Sequence, residues 1–146
     1  MPIVGFNFNK IYVEKKTVEL ETKTNINIRN DVLITDIHEE KLPTSKAKSD
    51  GLKFDFKFSL KYEPDIGEIE LIGFIYYLDD PETIKSIYKS WKKDKKIPQE
   101  ITANIINTVL IKSNIKTLAL SQEVNLPPHI PLPTINPKAK PESYIG

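Results

Sequence analysis

The chain of 146 residues has no cysteine, a single arginine (Arg29), one tryptophan and only five glycines. Without cysteine there is no disulfide framework, thiolate zinc site or cysteine nucleophile. Five glycines leave little for a phosphate cradle, and the sequence contains no P-loop, GxGxxG, GxSxG or HExxH motif. No apolar run reaches the roughly 18–20 residues of a membrane span. The opening MPIVGFNFNK lacks the charged start and continuous apolar core of a signal peptide. Net charge is +1, so no global field draws the surface to nucleic acid. These absences lead to the expectation of a cytoplasmic chain with no catalytic, cofactor or metal site and no membrane partner.

A hydrophobic fraction of 39% with 28% charged residues describes one globular domain of ordinary size. Its clearest strand is Leu52–Tyr62, where Leu52, Phe54, Phe56, Phe58, Leu60 and Tyr62 alternate with polar residues. Pro64-Asp65-Ile66-Gly67 supplies turn chemistry, and Glu68–Leu78 follows as a hairpin partner. That second strand is apolar on both faces, which predicts a central position, and Gly73 marks a bulge or a close backbone approach. Ile26, Ile28, Val32 and Ile34 predict a strand from about Thr22 to Asp36, bent near Asn30-Asp31. Val4, Phe6 and Phe8 change parity with Ile11 and Val13, which predicts a first strand bulged near Asn9-Lys10. The polar stretch Glu39–Gly51 reads as a mobile loop.

Helical spacing begins after Asp80, a fitting N-cap ahead of Pro81 and Glu82. Ile84, Ile87, Tyr88 and Trp91 then form one apolar stripe. Pro98 starts a second, longer helix that runs to about Ser121. Its apolar face, with Ile101, Ile105, Val109, Ile111 and Leu118, is broader than one sheet requires. The surplus predicts a subunit interface on those five residues.

The candidate chemistry is sparse. His38, beside Asp36, Glu39 and Glu40, reads as a charged strand end rather than a metal or acid–base cluster, and His129 reads as a loop histidine. Asp79, Asp80 and Glu82 are better explained by helix capping than by paired-carboxylate catalysis. The strongest electrostatic feature is Lys85, Lys89, Lys92, Lys93, Lys95 and Lys96, opposed only by Asp94. It is either a phosphate or partner contact or a solvated helix end that complements the dipole. Tyr88 and Trp91 lie on the apolar stripe, which argues against base stacking.

Six of the eleven prolines lie in Leu126–Pro141, LPPHIPLPTINPKAKP. Helix is excluded there, and the segment is extended and polyproline-like with apolar side chains to bury. Leu126, Pro127, Pro128, Ile130, Leu132 and Ile135 are therefore read as a strap or partner-binding segment. It packs on its own or a neighbouring subunit, and residues 136–146 form a tail beyond a domain of residues 1–135.

Four antiparallel strands, a shorter helix, a long helix and a proline-rich extension resemble the layout of the SecB family of export chaperones. SecB proteins follow their long helix with a segment of the type fP-x-l-l-l-P-P-i, to which Leu126-Pro127-Pro128-His129-Ile130-Pro131-Leu132-Pro133-Thr134-Ile135 is similar. The resemblance covers roughly residues 3–135. It implies an α+β subunit that assembles into dimers or tetramers and binds unfolded polypeptide in exposed apolar grooves. The family is acidic and engages the translocation ATPase through that acidity. This chain is near neutral, and its tail carries Lys138 and Lys140 against Glu142, which counts against such docking. The lysine- and isoleucine-rich composition looks archaeal. Two functions follow as expectations. One is a non-catalytic, chaperone-type binder of unfolded chains. The other is an archaeal ribosome-associated factor, acting in hibernation or subunit anti-association, that contacts rRNA and ribosomal proteins through the lysines and the tail.

Overall fold

The computed structural model describes residues 3–16, 25–43, 48–135 and 137. Four strands, β1 (Ile3–Lys15), β2 (Asn27–Pro43), β3 (Lys48–Glu63) and β4 (Gly67–Leu78), precede helices α1 (Pro81–Asp94) and α2 (Gln99–Glu123). All pairings are antiparallel and the strand order is β1-β4-β3-β2. Three strands form a meander and β1 returns beside β4, which is a Greek-key order. Both helices cover one sheet face, giving an α+β domain of two layers.

The alternation in β3 has the expected consequence. Leu52, Phe54, Phe56, Phe58, Leu60 and Tyr62 are each no more than 1% exposed. Burying each such side chain stabilises the fold by about 1.5–3 kcal/mol. β4 is central, as its two apolar faces predict. Ile69, Leu71, Ile75 and Tyr77 are buried beneath the helices, while Ile72, Phe74, Tyr76 and Leu78 are half-buried on the open face. Lysine stems help cover that face: the Lys53 ammonium sits 4.6 Å from the Phe74 ring centroid.

The register of β1 on β4 slips between Phe8 and Lys10, which places a bulge at Asn9 as the parity change predicts. Opposite it, Gly73 is a point of close approach, since a Cβ there would lie 2.1 Å from the Asn7 carbonyl oxygen. Backbone must move to admit any side chain. Gly73→Ala is accordingly expected to cost about 2–3 kcal/mol, read as a lower urea midpoint at unchanged slope.

Two expectations are corrected. The stretch Glu39–Gly51 is not a loop throughout: β2 and β3 continue to pair from Glu39↔Leu52 to Pro43↔Lys48. Leu42 is 5% exposed, packed where Gly51 offers no side chain, and the Lys41 ammonium lies 2.8 Å from the Asp50 carboxylate. One leucine among charged residues is too little to register as a period of two. The irregularity in β2 lies between Ile34 and Asp36, not at Asn30-Asp31, which pair regularly with Leu60 and Ser59. β2 begins at Asn27, and the expected start near Thr22 falls outside the described residues.

α1 begins as read. Asp80 Oδ2 accepts from the Thr83 amide at 3.1 Å, Oδ1 accepts from the Thr83 hydroxyl at 2.8 Å, and Pro81 opens the helix. α2 departs from its expected stripe. Ile105 and Val109 are buried, but the buried line continues through Ser113, Thr117 and Ser121, each four residues on. The sheet beneath this half carries Phe58, Leu60 and Leu71, with Phe8, Leu110 and Leu120 alongside. Small helix residues complement that bulk. The consequence is that Ile111, expected on the apolar face, and Ile115 one turn beyond it are 63% and 66% exposed.

Candidate binding surface

Helix α1 ends at a pinned corner. Lys95 takes a left-handed conformation (φ 58°) with its amide donating to the Trp91 carbonyl. The Lys96 amide donates to the Asp94 carboxylate at 3.2 Å, and the Ser90 hydroxyl donates to the Lys96 carbonyl at 2.6 Å. Lys85, Lys89, Lys92, Lys93, Lys95 and Lys96 are all exposed, and none forms a salt bridge among the described residues. Trp91 is 8% exposed, and its indole N–H donates to Asp36 Oδ1 at 3.2 Å. The Ile37 amide, which donates to the same oxygen, and then the indole bond hold the Asp36 carboxyl below its usual range. The aromatic rings here belong to the core.

The five residues expected to form a subunit interface separate. Ile105 and Val109 are fully buried against this chain's own sheet, which removes them from any contact between copies. Ile101 and Leu118 are half-buried, and Ile111 is exposed with Ile115 one turn beyond it. The alternation of small and large residues along α2 was visible in the sequence, but which face met the sheet was not.

The segment after α2 folds back along it. Asn125 adopts a left-handed conformation (φ 57°), and the Leu126 amide donates to the Ser121 carbonyl at 2.8 Å. Leu126 is 4% exposed in the cluster with Tyr62, Ile66 and Ile69, against Gly67, where a Cβ would come 3.1 Å from its methyls. The Tyr62 hydroxyl donates to the Pro127 carbonyl at 2.6 Å. Burial pushes the Tyr62 pKa up to about 12, so it remains a donor. His129 Nε2 lies 2.8 Å from Asn114 Oδ1, and Ile130 is half-buried. Pro128 and Pro131 are exposed, and Leu132 (48%) and Ile135 (69%) are left open by the described residues. Among the described residues, the segment expected as a strap over Leu126–Ile135 packs on its own chain as far as Ile130.

His129 Nδ1 is buried with no hydrogen-bond partner among the described residues, and burial holds the imidazole pKa below 6.5. With Nε2–H donating to Asn114, the neutral ring fits and a second proton has no acceptor. The contribution of this contact is complete above about 6.5, the unfolded value. It is lost as pH falls from there through the lower folded value, because the unfolded chain takes up the proton first. Urea midpoints are therefore expected to drop between about pH 7 and pH 5, with a smaller drop in His129→Gln.

Open hollows flank α2 on both sides. On the β2 side, Ile34, Trp91, Lys95, Lys96, Ile97, Thr102 and Ile106 line a space of about 370 Å³. On the β1 side, Phe6, Asn7, Phe8, Lys112, Ile115 and Lys116 line about 420 Å³. β1 and β2 are the two edges of the sheet, each paired on one side only among the described strands. His38 lies on the open sheet face, 2.9 Å from Asp55 and 3.4 Å from Asp36. No group of three or more potential metal ligands occurs among the described residues. No described helix is long and apolar enough to cross a membrane.

This two-layer domain, an antiparallel Greek-key sheet under a short and a long helix, is similar to a solved structure. A SecB-like chaperone of Mycobacterium tuberculosis, solved in complex with a ChAD peptide from the HigA1 antitoxin, superposes with a TM-score of 0.53 at 8% identity. The superposition spans 92% of this chain and 91% of that one. The fold is thus SecB-like, as the layout implied. No protein-family model and no curated protein matches the sequence.

Proposed function

We propose that this chain is a non-catalytic, oligomeric SecB-like protein of the cytoplasm that holds unfolded or extended polypeptide. The carrying observation is the pair of apolar hollows along α2, each beside a sheet edge that no described strand pairs with on its outer side. An extended segment gains main-chain hydrogen bonds from a free edge and places alternate side chains in the hollows. The SecB-like neighbour holds a peptide, which supports the same role here. Assembly into a dimer or tetramer covers Ile111 and Leu118 and meets Ile115 at the rim of the β1-side hollow, and a neighbouring copy covers Leu132 and Ile135. The direct test is aggregation of a denatured client. Substoichiometric protein is expected to suppress it, and failure to do so, with no binding of a permanently unfolded chain, removes the reading.

The lysines at the end of α1 favour a second reading, an archaeal ribosome-associated factor that contacts rRNA and ribosomal proteins. Six exposed ammonium groups, without a salt bridge among the described residues, suit a phosphate backbone. Co-sedimentation with ribosomal subunits should then weaken when Lys92, Lys93, Lys95 and Lys96 are changed to glutamate. Association that survives this reversal has no electrostatic basis here.

A further inference from the structure

Every charged side chain lining the two hollows along α2 is a lysine: Lys95 and Lys96 on one flank, Lys112 and Lys116 on the other. Their floors are apolar, and each places an ammonium over an aromatic ring. The Lys95 Nζ lies 5.0 Å from the Trp91 centroid and the Lys112 Nζ lies 5.4 Å from that of Phe6. None of the four forms a salt bridge among the described residues. Asp36 is close to the first hollow, but its Oδ1 already accepts from the Trp91 indole and the Ile37 amide.

Charge is segregated on the larger scale too. From Pro81 to Glu123 there are eight lysines and four acidic residues, a net of +4. The chain as a whole is +1, so the remainder is −3. The helix layer is basic, and Asp55, Glu68 and Glu70 belong to the opposite, open face of the sheet.

We propose that the hollows select extended polypeptide segments in which aromatic or aliphatic side chains alternate with aspartate or glutamate. This rests on the polypeptide-holding role above and specifies its clientele. An extended chain repeats every two residues, so one face fills the apolar floor while carboxylates meet the lysines at the rim. The lysines give up contact with the rings and gain carboxylate partners. A nucleic acid would use the ammonium groups but leave the apolar floors unmatched, so an acidic polypeptide fits both halves of the site.

The test uses the full chain and three fluorescent peptides with identical alternating apolar residues and Glu, Gln or Lys between them. At low salt the Glu peptide is expected to bind about ten-fold more tightly than the Gln peptide, the sum of several individually weak exposed pairs. The Lys peptide should bind most weakly. The spread should collapse near 1 M salt, where the screening length falls to about 3 Å. The double variant Lys95→Glu/Lys96→Glu should narrow or reverse the order of the Glu and Lys peptides, and a cooperative urea transition of the variant reports an intact fold. Equal affinities for all three peptides overturn the inference and leave the holding role standing. Failure of all three to bind overturns that role itself. Displacement of the Glu peptide by an oligouridine of much higher affinity assigns the lysines to phosphate and overturns the inference.

Discussion

Truncating Leu126 to alanine is expected to lower the unfolding free energy by about 2–4 kcal/mol, the range for a buried leucine whose cavity cannot fully collapse. At 4% exposure Leu126 behaves as core despite lying beyond the last helix. Its surroundings are fixed from several sides: the turn at Gly67 below, Tyr62 and Ile69 in the sheet, and the left-handed Asn125 that directs the chain inwards. Little can move into the space. A loss of that size is a large fraction of the roughly 5–15 kcal/mol available to a domain. Tyr62→Phe should cost about 1–2 kcal/mol, because the Pro127 carbonyl loses its donor while the ring packing survives. Ile135→Ala should change stability by less than about 0.5 kcal/mol, since Ile135 is 69% exposed. Urea unfolding of the three variants reads the gradient directly. Equal, small effects at Leu126 and Ile135 would mean that the return segment is not docked.

That gradient bears on what the sequence carried. Proline spacing announced an extended segment with apolar side chains, but where its anchoring stops depends on contacts far away in sequence. Tyr62 is 65 residues from Pro127 and Asn114 is 15 from His129. β3 and β4 were legible because one residue type dominates each face over a long run. Asp80 and Pro81 were legible because capping chemistry is local. The β2–β3 ladder beyond Glu39 was hidden because its pairing rests on the neighbouring strand rather than on its own periodicity. The rotation of α2 was hidden for a similar reason. Both of its faces carry apolar residues, and volume against the phenylalanines of the sheet decides which face turns inwards. The lysine hollows were half legible: Lys95 and Lys96 were singled out by density of charge, whereas Lys112 and Lys116 stand alone in sequence and meet Phe6 and Phe8 only in the fold.

Replacing Ile111 and Ile115 together by aspartate is expected to convert an assembled protein into a folded monomer. The two side chains lie one turn apart on the solvent side of α2, with the half-buried Leu118 nearby. Each exposed isoleucine that an assembly buries contributes about 1.5–3 kcal/mol, and a two-fold contact counts every residue twice. Aspartates in the same place would have to lose their hydration without a partner, which an interface of ordinary strength does not tolerate. The subunit itself should notice little. At 63% and 66% exposure the substitutions remove almost no internal packing, and the change in helix propensity is a few tenths of a kcal/mol. The contrast is Ile105→Asp, which places a carboxylate at a fully buried position of the same helix and should prevent folding. Light scattering separates the cases. A mass that falls to one subunit at an unchanged urea midpoint identifies Ile111–Leu118 as the face that joins the copies. A mass that stays high locates assembly elsewhere and leaves the two isoleucines as open surface for clients. In that event client binding, rather than mass, should be what the double substitution weakens.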